Sequence, residues 1–368
     1  MVDGGEPTRT VVGATLPITT PEELRRHLAL AMRVELTTVP PYLYAMYSIE
    51  DQSSEAARLI KSVVAEEMLH AALVANLLVA VGGHPVFSDP DLIPVYPGLL
   101  PHHEPPLMLD LAPASPPLIR DVFMVIEKPE TPGAPPEDDR FETLGQFYNA
   151  LELAFEDLSE RFDLFADIGA DRQLADPRFY QPVEFDAEDS GNLMLVKDLD
   201  SACAAIEVVV HQGEGVSDER YADPSHQELT HFYKFEQIAD GISSLGRVHP
   251  ALVNPKTADL PPAIRPVSDL VNALYRFLYL TLHELYQPGA DKGPLVDRLY
   301  RVMSGLLGPA ARYLMGQPVG GGLVAGPTFE AYPFESGPAP ADQIKGMAAQ
   351  VLTDHPALAP LAPGFERL

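Results

Sequence analysis

The sequence predicts a mainly α-helical protein: a four-helix bundle with additional helices and long proline-rich loops. Three observations carry this. Apolar residues recur at helical spacing in several long stretches. Helix start and stop signals bracket those stretches. No alternation of period two persists for any length, so a sheet of any size is not expected.

The first helix starts at Thr20-Pro21-Glu22-Glu23, where a threonine cap precedes proline at the first helical position and two acids in the first turn. Its stripe runs through Leu24, Leu28, Ala31, Met32, Glu35 and Val39. Pro40 and Pro41 remove two helical hydrogen bonds and free the carbonyls of Leu36 and Thr37, which predicts a kink that opens space or fits the bundle. Helical residues continue to Ile49, and a turn at Asp51-Gln52-Ser53-Ser54 leads to a second helix over 55–82, stopped by Gly82-Gly83-His84-Pro85. These two should form an antiparallel hairpin.

Residues 85–140 contain 14 prolines, which excludes long helices there. Leu, Ile, Val and Phe recur through the segment, so an ordered irregular excursion is expected rather than a linker. Further helices follow over 141–165, 197–212, 225–240, 268–287, 291–314 and 341–352. The aromatic run YRFLYLTLHELY at 275–286 reads as core packing, with His283 and Glu284 structural. The domain plan is a lead-in at 1–18, one helical domain at 19–315 that includes the excursion, and a C-terminal extension at 316–368 packed on it.

Composition narrows the function. A formal net charge of −28 argues against nucleic acid and anionic membrane surfaces as partners. Cys203 is the one cysteine, so neither an intrachain disulfide nor a thiolate metal cluster is available. The start MVDGGEPTRT lacks signal-peptide character, and no uninterrupted apolar run reaches the length of a membrane span. A soluble, cytoplasmic protein is the expectation.

The chemistry sits where charge interrupts apolar stripes. In VVAEEMLHAALVANLLVAVGG, Glu67 falls near the middle of the face made by Ile60, Val64, Ala71, Val74 and Leu78. His70 lies about 60° away, still inward, whereas Glu66 lies further round and is expected to reach water. The same Glu-x-x-His device recurs as Glu228 and His231 in HQELTHFYKFEQIAD. A carboxylate buried alone costs several kcal/mol, so each needs partners.

Two more acids complete a set: Glu35 in the first stripe, and Glu207, the polar residue within ACAAIEVVV. A Glu from each of two helices plus Glu-x-x-His from each of two others is the ligand plan of a carboxylate-bridged dinuclear metal site in a four-helix bundle. Hard carboxylates bridge and neutralise two divalent cations, and imidazoles add nitrogen donors while leaving positions open. Iron is the first expectation, manganese the second. Glu152 competes with Glu207 for its role. His211, one turn beyond Glu207, is either a further ligand or a supporting base; Glu214 reads as a loop or supporting residue, and Tyr44, among Tyr42, Tyr44 and Tyr47, as a pocket residue.

Three segments, ELTTVPPYLYAMYSI, EEMLHAALVANLLVAVGGHP and GEG…ELTHFYKFEQI, resemble the ferritin-like domain of iminophenyl-pyruvate dimer synthases, enzymes of bisindole pigment and indolocarbazole biosynthesis. The resemblance covers about residues 20–290 and implies a ferritin-like four-helix bundle in a stand-alone form. By position it carries Glu35, Glu67, His70, Glu228 and His231 as metal-type residues. The synthases are longer chains, so fold transfers better than substrate.

The functional expectation is a non-haem dinuclear-metal oxidase or oxygenase that oxidises a small amino-acid-derived metabolite with dioxygen or peroxide. Its partners would be small molecules, and a homodimer is compatible with the sequence. The alternatives are an imine-coupling enzyme of the dimer-synthase type, a non-catalytic ferritin-like iron-binding protein, and manganese-catalase chemistry.

Overall fold

A computed structural model describes residues 18–129, 136–137, 140–183, 191–213 and 229–368. Helix α1, Pro21–Ser48, opens with a reciprocal cap: the Thr20 side chain accepts from the Glu23 amide, and the Glu23 carboxylate accepts from the Thr20 amide at 3.1 Å. Helix α2, Glu55–Ala80, is capped by Ser54. It ends where Gly82 adopts φ +77 and the Gly83 amide turns back to the Leu78 carbonyl at 2.8 Å. A Cβ at Gly83 would run into the Leu78 side chain, so glycine is required there.

The expected hairpin of α1 and α2 forms, and it is the most extensive helix pairing in the fold. Helix α2 is buried almost all round. By length and composition it could cross a membrane, yet 89% of its apolar window is buried inside the protein, as suits a central core helix.

The proline pair does not end the helix. Helix α1 continues through Pro40 and Pro41 to Ser48. The Thr37 carbonyl, freed by Pro41, accepts a 2.6 Å hydrogen bond from the Tyr96 hydroxyl. Tyr96 lies in the proline-rich excursion, which is stitched to the hairpin. The Ala114 amide donates to Ser48 Oγ at 2.8 Å, and Phe87, Ile93, Tyr96, Phe123 and Ile126 are buried.

Within the excursion lies α3, made of three abutting pieces: Pro116–Leu118, a π-helical turn at Ile119–Phe123, and Met124–Ile126. A π turn shifts the register by one residue, and such turns favour functional positions. Helices α4, Leu144–Arg161, and α5, Leu199–Gly213, pack against each other and reach α1 and α2 respectively. Helix α6, His231–Ala239, packs on α2 and on the π turn. Residues 225–228 of the helix expected over 225–240 lie outside the described residues.

Beyond the bundle, α7, Arg265–Leu285, supports the C-terminal helices, including α8, Pro340–Asp354, which packs on it. Tyr275, Phe277 and Tyr279 are buried in α7, and the Tyr275 ring meets Phe329 edge-on at 5.1 Å. Glu284 pairs with Arg298 at 2.7 Å. Among the described residues, paired strands are confined to two small antiparallel pairs, Gly98–Leu99 with Met108–Leu109 and Pro318–Gly320 with Leu323–Val324, beside isolated bridges such as Ile49 with Val248. The architecture is the mainly α bundle expected from helical periodicity.

Candidate metal centre

Four elements bring acids and histidines to one buried point. Helix α1 contributes Glu35, α2 contributes Glu66, Glu67 and His70, the residue after α3 is Glu127, and α6 begins with His231. All six are almost fully buried. Glu35, Glu67 and His70 form one group of convergent donor atoms, and Glu67, Glu127 and His231 form a second; within each, the atoms lie within 4.8 Å of one another. Glu67 belongs to both. The two histidine rings stack with centroids 5.3 Å apart.

Each histidine is oriented by its outer nitrogen. His70 Nε2 donates to Gln212 Oε1 at 2.9 Å, which turns Nδ1 toward Glu35 Oε2 at 3.5 Å. His231 Nε2 lies 2.8 Å from Glu66 Oε2, and its Nδ1 faces Glu67 Oε1 at 3.0 Å and Glu127 Oε2 at 3.3 Å. In both rings Nδ1 is the nitrogen turned inward, the arrangement expected when outer partners fix the ring for a cation.

The carboxylates are held in turn. The Tyr148 hydroxyl of α4 donates to Glu35 Oε1. The Tyr42 hydroxyl donates to Glu127 Oε1 at 2.6 Å. Thr38 Oγ1 lies 2.9 Å from Glu67 Oε2 and 2.7 Å from the Glu35 carbonyl, so its one proton serves either acceptor. The Tyr42, Phe123 and Phe235 rings pack together, with centroids 4.6 to 5.2 Å apart, and lock α1, the π turn and α6 around this point.

The electrostatics are unbalanced. Four buried carboxylates, Glu35, Glu66, Glu67 and Glu127, touch Lys234, His70 and His231. Even with both imidazoles charged, three cations face four anions. Burial, then the charges of Glu127 and Glu35, push Glu67 well above the usual carboxylate range. Burial would lower His231, but the charge and hydrogen bond of Glu127, with hydrogen bonds from Glu66 and Glu67, outweigh it and lift the imidazole well above its ordinary value. Burial would likewise raise Glu35, yet the hydrogen bond and charge of His70 bring it below its normal value. Protons therefore neutralise the metal-free cluster. Hard oxygen donors and imidazole nitrogens, in two groups sharing one carboxylate and holding excess protons, fit two divalent cations.

Of the expected site residues, Glu35, Glu67, His70 and His231 come together. Glu228 and Glu214 lie outside the described residues. Glu207 does not join the cluster. Helix α5 turns Ala202, Ala205, Ile206 and Val209 inward, which leaves the Glu207 side chain 64% exposed and 3.5 Å from His211 Nε2. His211 is therefore tied to Glu207 at the edge of the bundle. Glu152 is half-buried near Cys203, outside both groups. Tyr44 sits on the far side of α1 from Tyr42, where its hydroxyl donates to the Leu252 carbonyl. Glu66, expected at the surface, is buried because α6 covers its side of α2, where His231 and Lys234 meet its carboxylate.

Glu127 takes the place expected of Glu207. The available signal was the lone acid ending the apolar run Phe123-Met124-Val125-Ile126, hidden in a segment read as irregular. Gln212 and Tyr148 gave no sequence signal. A narrow cleft lined by Leu144, Gly145, Tyr148, Val209 and Gly213 reaches the carboxylates, with room for a water-sized molecule.

Comparisons with known proteins agree with this architecture. The chain is 26% identical to 2-imino-3-(indol-3-yl)propanoate dimerase of Chromobacterium violaceum over 83% of its own length and 33% of that protein. It is 26% identical to dichlorochromopyrrolate synthase of Lentzea aerocolonigenes over 88% of its own length and 37% of that protein. The chain thus spans about a third of the length of these curated relatives. The crystal structure of a ferritin-like protein from Caulobacter vibrioides superposes with a TM-score of 0.61 at 23% identity, covering 87% of this chain and all of that one. The sequence profile described as ferritin-like matches residues 28–240, across the helices that build the cluster, and the chain belongs to the ferritin-like family.

Proposed function

We propose that the protein is a metal-dependent oxidoreductase with a carboxylate-bridged dinuclear centre, which oxidises a small amino-acid-derived metabolite. The observation that carries this reading is the pair of donor groups sharing Glu67. Glu35 and His70 would hold one cation, Glu127 and His231 the other, and Glu67 would bridge them, with Glu228 a further candidate ligand. Iron suits carboxylate and imidazole donors, with manganese second. Bound there, the metals would supply the electron transfers with dioxygen or peroxide that amino-acid side chains lack.

This chain's own residues perform the rest. Tyr148 and Tyr42 orient Glu35 and Glu127, and Gln212 and Glu66 fix the two imidazoles. Burial keeps both phenols protonated, since it and the neighbouring carboxylates raise them well above the normal tyrosine value. The narrow cleft admits species of about the size of water to the carboxylates. A cytoplasmic location accords with this chemistry.

The relatives' names favour a second reading, in which the substrate is an imine from an oxidised aromatic amino acid. Two such molecules would be joined by a carbon–carbon bond as each loses one C–H hydrogen, with the two electrons and two protons passing to dioxygen to give hydrogen peroxide, or to peroxide to give water. A coupled assay with an amino-acid oxidase distinguishes this from single-molecule oxidation.

The metal assignment is tested by anaerobic reconstitution with ferrous ion and elemental analysis. About two metals per chain are expected for the wild type, and loss of most of that for the Glu67→Ala, His231→Ala double variant. Full loading of the folded double variant would overturn the assignment. A cage-forming assembly that accumulates iron would favour storage over catalysis.

A further inference from the structure

Helix α2 places two acids side by side, Glu66 and Glu67, and buries both. Only Glu67 takes part in the convergent donor groups. The difference lies on α6. Lys234 follows His231 by one helical turn and is fully buried. Its Nζ lies 2.7 Å from Glu66 Oε1 and 2.6 Å from Glu66 Oε2, while His231 Nε2 reaches Glu66 Oε2 at 2.8 Å. One helix thus grips Glu66 at both oxygens, with a cation and an imidazole.

We infer that Lys234 is a positioning residue that keeps Glu66 out of the metal set and makes it the fixed acceptor for His231. This inference rests on the dinuclear reading above. Lys234 acts through Glu66: its charge balances the one carboxylate that must stay beside the metals without binding them. The shared carboxylate grip sets the orientation of the imidazole and directs Nδ1 toward Glu67 and Glu127. Without the lysine, Glu66 is free to leave Nε2 and turn toward the cation, and Nδ1 loses the fixed direction that the carboxylate gives it. The lysine therefore decides which of two adjacent glutamates is a ligand.

The test compares Lys234→Met with the Lys234→Met, Glu66→Gln double variant. Methionine keeps the length of the side chain and removes its charge. Glutamine keeps an oxygen that accepts from His231 Nε2 and also removes charge. Cobalt(II) serves as the probe, read by equilibrium titration and by its visible spectrum, which reports ligand identity. The single variant should bind the second cobalt about 10- to 100-fold more weakly, the usual cost of losing an outer partner, with an altered spectrum. The double variant should recover both affinity and spectrum to near wild type. A single variant with wild-type affinity and spectrum would overturn the inference. So would a folded double variant that fails to recover, because a purely structural role for the lysine predicts no rescue. If Lys234→Met does not fold, the double variant alone decides: a wild-type spectrum supports the inference, and an altered one overturns it. A wild-type protein that takes up no cobalt would instead sink the dinuclear reading, and this inference with it.

Discussion

Removing the Tyr42 hydroxyl should weaken one metal position and spare the other. Tyr42→Phe keeps the ring that packs against Phe123 at 4.6 Å and Phe235 at 5.1 Å, so the core is undisturbed. It deletes the 2.6 Å hydrogen bond to Glu127 Oε1 and leaves that buried oxygen short of a donor. A hydrogen bond to a charged group contributes about 1.5–3 kcal/mol. Because the bond supports Glu127 with or without metal, only part of this reaches the binding constant. The expected loss is about tenfold, equivalent to ~1.4 kcal/mol, at the Glu127 and His231 position. Tyr148→Phe is the mirror experiment: it strips the donor from Glu35 and should weaken the Glu35 and His70 position instead. Competition titration with a chromophoric chelator resolves the two binding steps, and metal-ligand spectra assign them. Equal weakening of both steps by either variant, or no weakening by both, would refute the idea that each tyrosine serves one half of a shared-carboxylate centre.

Three other outcomes follow from the same geometry. Metal loading near neutral pH should acidify a weakly buffered solution, since Glu67 and His231 are both raised and carry protons that cations must displace; apparent affinity should rise with pH, and a titration without proton release would contradict the charge count. Glu207→Gln should leave metal content and melting temperature unchanged, because that side chain is largely exposed; a loss of one metal on elemental analysis would return Glu207 to the ligand set. Tyr96→Phe should cost about 1–3 kcal/mol of stability in denaturant unfolding, as it strands the buried Thr37 carbonyl; an unchanged midpoint would show that the carbonyl has another partner.

Legibility of the site tracked helical regularity. Glu35, Glu67, His70 and His231 were readable because each interrupts an apolar stripe of period 3.6 on a long or well-marked helix. Glu127 was not, because it follows a π turn inside a proline-rich stretch, where neither period applies. Glu207 misled for the opposite reason. Helix α5 is apolar on more than one face, so a lone acid looked interior when it marks the solvent side. Glu66 and Lys234 show a further limit. A wheel assigns Glu66 to the edge of α2, but α6 covers that edge, and the cation that makes this tolerable comes from a residue 168 positions away. Pairings across such distances leave no local trace.

The Thr37 carbonyl, opened by the proline pair and closed by Tyr96, ties the assembly of the centre to a loop. The segment that supplies this closing hydroxyl also ends in Glu127, so docking it completes helix α1 and furnishes an oxygen donor in one event. A chain engineered without residues 85–129 would lose both together. The excursion is thus a component of the scaffold of the candidate metal centre, and grafting this centre onto a plain bundle would require transplanting the loop as well.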